Sequence, residues 1–113
     1  MRADKIIEKA SLMLGLKGLE DERVQAHALC ALNRIYAELH FLESDEEFFE
    51  ISELSQPFNI SQRMFYDVMP YGVASLLASA MGDTANQNYF AEIYNLKRKR
   101  AIGSSWQDTL PTV

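Results

Sequence analysis

The residue types that could perform chemistry in this chain are few and widely spaced. Its only cysteine is Cys30, and its two histidines, His27 and His40, are thirteen positions apart. A zinc site needs several Cys or His ligands at short spacing, and an activated nucleophile needs a neighbouring base. No Cys-x-x-Cys pair, His-x-x-x-His pair or glycine-rich phosphate loop is present. The sequence therefore predicts no catalytic residues, no metal site and no cofactor.

The single cysteine carries a structural prediction of its own. Cys30 stands among Ala28, Leu29, Ala31 and Leu32. A cysteine in such surroundings typically behaves as a small buried apolar residue, and a lone cysteine excludes an internal disulfide. We therefore expect Cys30 to be buried.

The charged residues are segregated along the chain. The net charge is −5, yet Lys97, Arg98, Lys99 and Arg100 are consecutive. Residues 43–53 contain no basic residue and six acids, namely Glu43, Asp45, Glu46, Glu47, Glu50 and Glu53. These acids lack the alternating oxygen ligands and central glycine of a calcium loop, so a solvated acidic face is the simpler interpretation. The negative net charge argues against general nucleic-acid binding, whereas the segregation suits contacts between copies of the chain.

The basic run and the lone tryptophan each allow two interpretations. Residues 97–100 either complement the dipole at a helix C-terminus or contact an acidic surface or DNA. Trp106 stands in a polar segment, where it either docks on a partner as an aromatic anchor or folds back on its own domain. We take residues 97–100 and Trp106 as the candidate interface with another subunit or partner.

The elements that would position these residues are helices. Apolar residues recur at steps of three and four, which is typical of amphipathic helices, and 113 residues suffice for one core. The pattern predicts helices over residues 3–16, from a start at residues 20–22 to about residue 39, from residue 62 past a bend at Pro70 to residue 81, and over residues 84–100. The fold class is therefore mainly α: a four-helix-type single domain at residues 1–102, with an irregular or short-strand insertion around residues 43–60 and a flexible C-terminal tail at residues 103–113.

The third and fourth helices form a predicted hairpin. Small residues between Pro70 and Met81 would let a neighbouring helix approach closely. Gly82 then ends one helix, and Asp83 or Thr84 caps the next. Ser61 is the predicted N-cap of the third helix, which begins at residue 62.

This hairpin resembles the head-tail connector (adaptor) proteins of tailed bacteriophages. The resemblance rests on Met69-Pro70-Tyr71-Gly72-Val73-Ala74-Ser75-Leu76-Leu77-Ala78, on Gly82-Asp83, and on Asn88-Tyr89-Phe90-Ala91-Glu92-Ile93-Tyr94-Asn95-Leu96-Lys97-Arg98. The segment Ala31-Leu32-Asn33-Arg34-Ile35-Tyr36-Ala37-Glu38-Leu39 is also similar to the helix before the variable middle of those proteins. The likeness covers roughly two thirds of the chain.

The resemblance implies a structural virion protein rather than an enzyme. Such proteins form a homo-oligomeric ring, commonly of about twelve copies, below the portal protein, and a tail or stopper protein docks beneath it. DNA passes through without sequence-specific binding. The acids of residues 43–53 would then face the lumen, and residues 97–100 with Trp106 would contact a neighbour or the portal.

Two other functions remain open at this point. The alternative is a small helical regulatory protein that binds DNA or a partner protein through its basic C-terminal helix, and a third possibility is an enzyme subunit whose active site lies elsewhere. No secretion signal or membrane-length apolar run appears, so we expect synthesis in a bacterial host cytoplasm, location at the head-tail interface of the virion, and no membrane partner.

Overall fold

The computed structural model describes the backbone of residues 2–109 and the side chains of residues 2–102. It contains four helices: α1 (Ala3–Met13), α2 (Glu22–Glu43), α3 (Met69–Ala80) and α4 (Thr84–Thr109). A short 3-10 turn at Gly18–Glu20 precedes α2. Within the described residues the segment between α2 and α3 holds no strand, only one isolated antiparallel bridge between Arg2 and Pro57. The predicted mainly α, four-helix domain is confirmed, and its insertion is the irregular form.

Helix α3 is the centre of the domain, because it contacts each of the other three helices. Eight of its twelve residues are buried, including Val73, Ala74 and Leu77. A Cβ placed on Gly72 would lie 2.8 Å from Cδ1 of Ile35 in α2 and 2.9 Å from the ring of Tyr94 in α4. These distances are below ordinary van der Waals contact, so glycine is what lets α2 and α4 approach α3 this closely, as the small-residue pattern predicted.

The bend predicted at Pro70 is a π turn over Met64–Val68 that leads directly into α3. Proline has no N–H to donate, so the carbonyl of Tyr66 cannot receive the usual bond from residue 70. The Nζ of Lys9 in α1 donates to that carbonyl instead, at 3.1 Å. The backbone N–H of Met69 donates to the carbonyl of Met64, five residues earlier. Helix α3 therefore begins beside a carbonyl that α1 satisfies.

The hairpin between α3 and α4 is closed by the two residues that the sequence indicated. Gly82 has a φ of +74°, a conformation that costs other residues strain. The N–H of Asp83 donates to the carbonyl of Ala78 at 2.9 Å, which ends α3. Oδ1 of Asp83 accepts from the N–H of Asn86 at 3.2 Å, so Asp83 is the cap of α4. Ser61 likewise accepts from the N–H of Met64, as predicted.

The prediction that Cys30 is buried is wrong. Its thiol is exposed. The buried face of α2 is set by Val24, Ala28 and Ala31, and a residue two positions after Ala28 lies about 200° around the helix. Apolar neighbours in sequence therefore did not place Cys30 on the core-facing side.

The position of the basic run within its helix also differs from the prediction. Helix α4 extends to Thr109, so residues 97–100 lie in its interior and no basic residue lies in its last turn. The helix dipole therefore does not explain this run. Of the predicted tail, residues 103–109 have only their backbone described and residues 110–113 lie outside the described residues.

Candidate functional site

The most distinctive surface feature is the segment of residues 43–53, which we call the acidic strap. Its acids share one property: each is exposed, and none forms an ion pair within the described part of the chain. They are Glu43, Asp45, Glu46, Glu47, Glu50 and Glu53. Glu43 still belongs to α2, where one carboxylate oxygen accepts from the N–H of Ser61 at 3.1 Å. The strap therefore presents negative charge to solvent without internal neutralisation.

Polar side chains of α2 hold the acidic strap in place. Oδ1 of Asn33 accepts from the N–H of Ile51 at 2.7 Å, and Nδ2 of Asn33 donates to the Ile51 carbonyl at 2.8 Å. These two bonds satisfy the backbone of Ile51, whose side chain is buried. Nε2 of His40, itself buried, lies 2.8 Å from the carbonyl of Glu46. The strap is thus fixed at two backbone positions although it has no regular secondary structure.

The two phenylalanines of the strap differ in exposure. The ring of Phe48 packs edge-on against Tyr36, with 5.2 Å between ring centroids. Phe49 is 70% exposed. Phe48 anchors the strap to α2, and Phe49 presents an apolar ring among carboxylates.

The end of the strap connects to the start of α1. Oε1 of Gln56 accepts from the N–H groups of Ser52 and Glu53 at 2.8 and 2.9 Å. The carbonyls of Gln56 and Leu54 accept from the first N–H groups of α1, at 3.2 and 2.8 Å. These bonds satisfy helix donors that have no partner within a helix. The strap, which begins at the end of α2, is therefore connected to the beginning of α1 through the residues that follow it, Leu54 and Gln56.

Two of the four predicted basic contacts are already used inside the domain. Nζ of Lys97 donates to Oδ1 of Asp67 at 2.7 Å, and it lies 4.9 Å from the centroid of the Tyr71 ring. Arg98 lies 3.9 Å from a carboxylate oxygen of Glu38. Lys99 and Arg100 are exposed. Lys97 and Arg98 are therefore engaged within the domain, and the side chain of Trp106 lies outside the described residues.

A buried tyrosine lies beside the basic run. Tyr94 is 5% exposed, and its hydroxyl donates to Oε2 of Glu38 at 2.7 Å. Burial, followed by this bond to a carboxylate, raises the pKa of the Tyr94 hydroxyl. The guanidinium of Arg98 lies 5.2 Å from the same ring. These contacts join α4 to α2 and leave the phenol protonated at neutral pH.

Several large apolar side chains are exposed outside the core. They belong to α1, α2, α4 and the segment between α2 and α3: Leu12, Phe41, Leu42, Phe49, Tyr66, Tyr89 and Leu96. Exposed aromatic residues are enriched where proteins contact one another. The sequence patterns did not single out these positions, and only the Phe48–Phe49 pair within the acidic run could have signalled one of them.

The residues first considered for chemistry do not assemble. His27 is exposed and lines a shallow groove of about 200 Å³ together with Cys30, whereas His40 is buried elsewhere on α2. Residues 2–102 contain no group of three or more His, Cys, Asp or Glu side chains placed to hold a metal ion. No helix among the described residues is both long and apolar enough to cross a membrane.

Comparison with known proteins gives no relative from which a function could be transferred. No family model, curated protein or solved structure matches this chain. The functional argument therefore depends on the surface of the molecule itself.

Proposed function

We propose that this chain is a structural virion protein of a tailed phage: a head-tail connector, or adaptor, that forms a ring of about twelve copies below the portal protein. The observation that supports it best is the acidic strap, which fixes six exposed and unpaired carboxylates on a helical domain. The location that follows is the head-tail interface of the virion. A tail or stopper protein would dock on the opposite side from the portal.

The acidic strap suits the lumen of such a ring because DNA is a polyanion. A conduit has to let the duplex pass without holding it, and phosphate binding requires Lys or Arg to replace counterions. Carboxylates that have no internal cation keep their full charge toward the passing duplex. The bonds from Asn33 and His40 hold the backbone of the strap against α2.

The basic run supplies the proposed portal contact. Lys97 and Arg98 are engaged with acids of their own domain, so the exposed Lys99 would meet the portal, with Arg100 and Trp106 following it along α4. Exposure of Lys99 also suits the alternative, a regulatory protein that binds DNA or a partner through this helix. The two functions differ in whether copies assemble and in whether duplex DNA is retained.

Three measurements test the proposal. Reading frames for portal, capsid and tail proteins are expected beside the one that encodes this chain. Electron microscopy of the purified protein over a range of concentrations should show closed rings with the strap lining the opening. Replacing Asp45 with Asn and Glu53 with Gln, two exposed acids of the strap, should leave the rings intact and increase their retention on duplex DNA. Unrelated neighbouring genes, together with salt-sensitive retention of an unassembled chain on DNA, would instead establish the regulator.

A further inference from the structure

An apolar groove lies between α1 and the start of α3. Its floor is formed by Ile6, Phe65 and Pro70, which are buried, and one wall by Tyr66, which is 55% exposed. The groove has a volume of about 470 Å³. That size is within the range of about 300–1,000 Å³ typical of ligand pockets, so it accommodates an aromatic ring and its neighbours.

Basic side chains of α1 border this groove. Arg2, Lys5 and Lys9 line its rim, and all three are exposed. Arg2 is paired with Asp4 at 2.9 Å, and Lys5 lies 3.9 Å from Glu8. Lys9 forms no ion pair within residues 2–102. Its Nζ donates to the Tyr66 carbonyl, which holds the ammonium group at the rim. The groove therefore combines an apolar floor with a fixed, unneutralised cation.

The acidic strap carries the complementary surface. Phe49 is 70% exposed, and Glu46, Glu47 and Glu50 are exposed around it. An exposed aromatic ring among carboxylates matches an apolar floor with cations at its rim in apolar character and in charge. Asn33 and Phe48 hold the strap against α2, so little conformational entropy is lost when Phe49 is bound.

We propose that Phe49 of one copy inserts into this groove of a second copy, with Glu46, Glu47 or Glu50 facing Lys5 and Lys9. The inference rests on the proposed function, because it names the surfaces through which copies of the chain meet. The strap and the groove share no residue, so copies can repeat this contact head to tail, which is a heterologous arrangement. A heterologous contact generates a ring when its rotation closes.

Disulfide trapping on the full chain tests this contact directly. Cys30→Ser removes the exposed native thiol, and Lys5→Cys or Glu50→Cys is then introduced into separate chains. Mixing the two and oxidising should give a heterodimer in preference to either homodimer. Adding Phe49→Ala to the chain that carries Glu50→Cys should reduce the heterodimer about tenfold or more, as expected on losing a central aromatic anchor. Tyr89→Ala, which removes an aromatic ring of similar exposure on α4, is the matched control and should change little.

The outcomes separate this contact from the proposed function. No heterodimer, or one that is insensitive to Phe49→Ala, overturns the contact. Rings that form equally well with Phe49→Ala overturn the contact and leave the connector proposal standing. A closed dimer in which both grooves hold Phe49 supports the contact and overturns the ring. Unchanged circular dichroism and melting of the Phe49→Ala protein confirm that the fold is intact.

Discussion

The hydroxyl of Tyr94 shows how one buried polar atom ties two helices together. Its bond to Glu38 connects α4 to α2 across 56 residues of sequence. A buried hydroxyl without a partner would lower stability, and here the partner is a carboxylate that also faces solvent. The contact is therefore a fixed part of the domain and has no evident role in chemistry.

We expect the stabilising effect of Tyr94 to disappear at alkaline pH. The raised pKa of the Tyr94 hydroxyl means that the folded protein keeps a proton that the unfolded chain releases above about pH 10. The contribution of Tyr94 to the free energy of unfolding is thus fully present below that pH. Above it, the contribution falls by about 1.4 kcal/mol per pH unit. Tyr94→Phe should cost about 1 kcal/mol at pH 7, the net value of such a bond, and the difference from the native chain should vanish near pH 11.

Denaturant unfolding at several pH values measures this difference. Tyr89→Phe is the control, because Tyr89 is 58% exposed and should show no such pH dependence. A difference between Tyr94→Phe and the native chain that stays constant from pH 7 to pH 11 would contradict the assignment.

Among the helices, α3 depends most on a single small residue. Gly72 lies between Ile35 and Tyr94, and its backbone is ordinary α-helix, so its role is to allow close approach. Alanine normally favours a helix over glycine by about 1 kcal/mol. Overpacking a core costs about 1–3 kcal/mol, and the Tyr94 ring is held by its bond to Glu38.

We therefore predict that Gly72→Ala lowers the free energy of unfolding by about 1–2 kcal/mol despite its better helix propensity. Adding Ile35→Val removes the nearest methyl group, so the double variant should be less destabilised than the sum of the two single variants. Ala80→Gly, at an exposed position of the same helix, reports the propensity effect alone. Equilibrium denaturation measures the free energy of unfolding of all four variants. A Gly72→Ala protein that is more stable than the native chain would contradict the prediction and show that α3 can move away from α2 and α4.

The elements differ in how far sequence predicts them. The helices were predictable because apolar spacing and caps such as Asp83 and Ser61 are local signals. The fixed acidic strap was not, because Asn33 and Ile51 are eighteen residues apart and their pairing depends on side-chain to backbone bonds. Lys97 and its internal partner Asp67 are 30 residues apart, so local sequence patterns could not predict that ion pair either. Cys30 shows the limit of sequence prediction within a helix, because a small error in assigning the buried face moves a residue from the core to the surface.

At the scale of the whole molecule, opposite charges lie on separate surfaces. The acidic strap is negative, whereas the groove rim and residues 99–100 are positive, within a net charge of −5. Like net charge repels whole copies, but salt screens charges that lie more than about 10 Å apart at 0.1 M. Opposite charges in direct contact at about 4 Å are screened less, and each exposed pair is worth about 1 kcal/mol in water.

Self-association should therefore weaken as salt rises from 0.05 to 0.5 M, and Lys9 should carry much of that dependence. Lys9→Gln, which keeps the stem of the side chain, is expected to weaken association severalfold at low salt and to flatten its salt dependence, because the lost ion pair is worth about 1 kcal/mol. Lys99→Gln removes an equally exposed cation from α4 and should leave association between copies unchanged. Sedimentation velocity over the salt series measures both variants. If Lys99→Gln flattened the salt dependence of self-association and Lys9→Gln did not change it, the contact between copies would lie at the basic run and not at the groove.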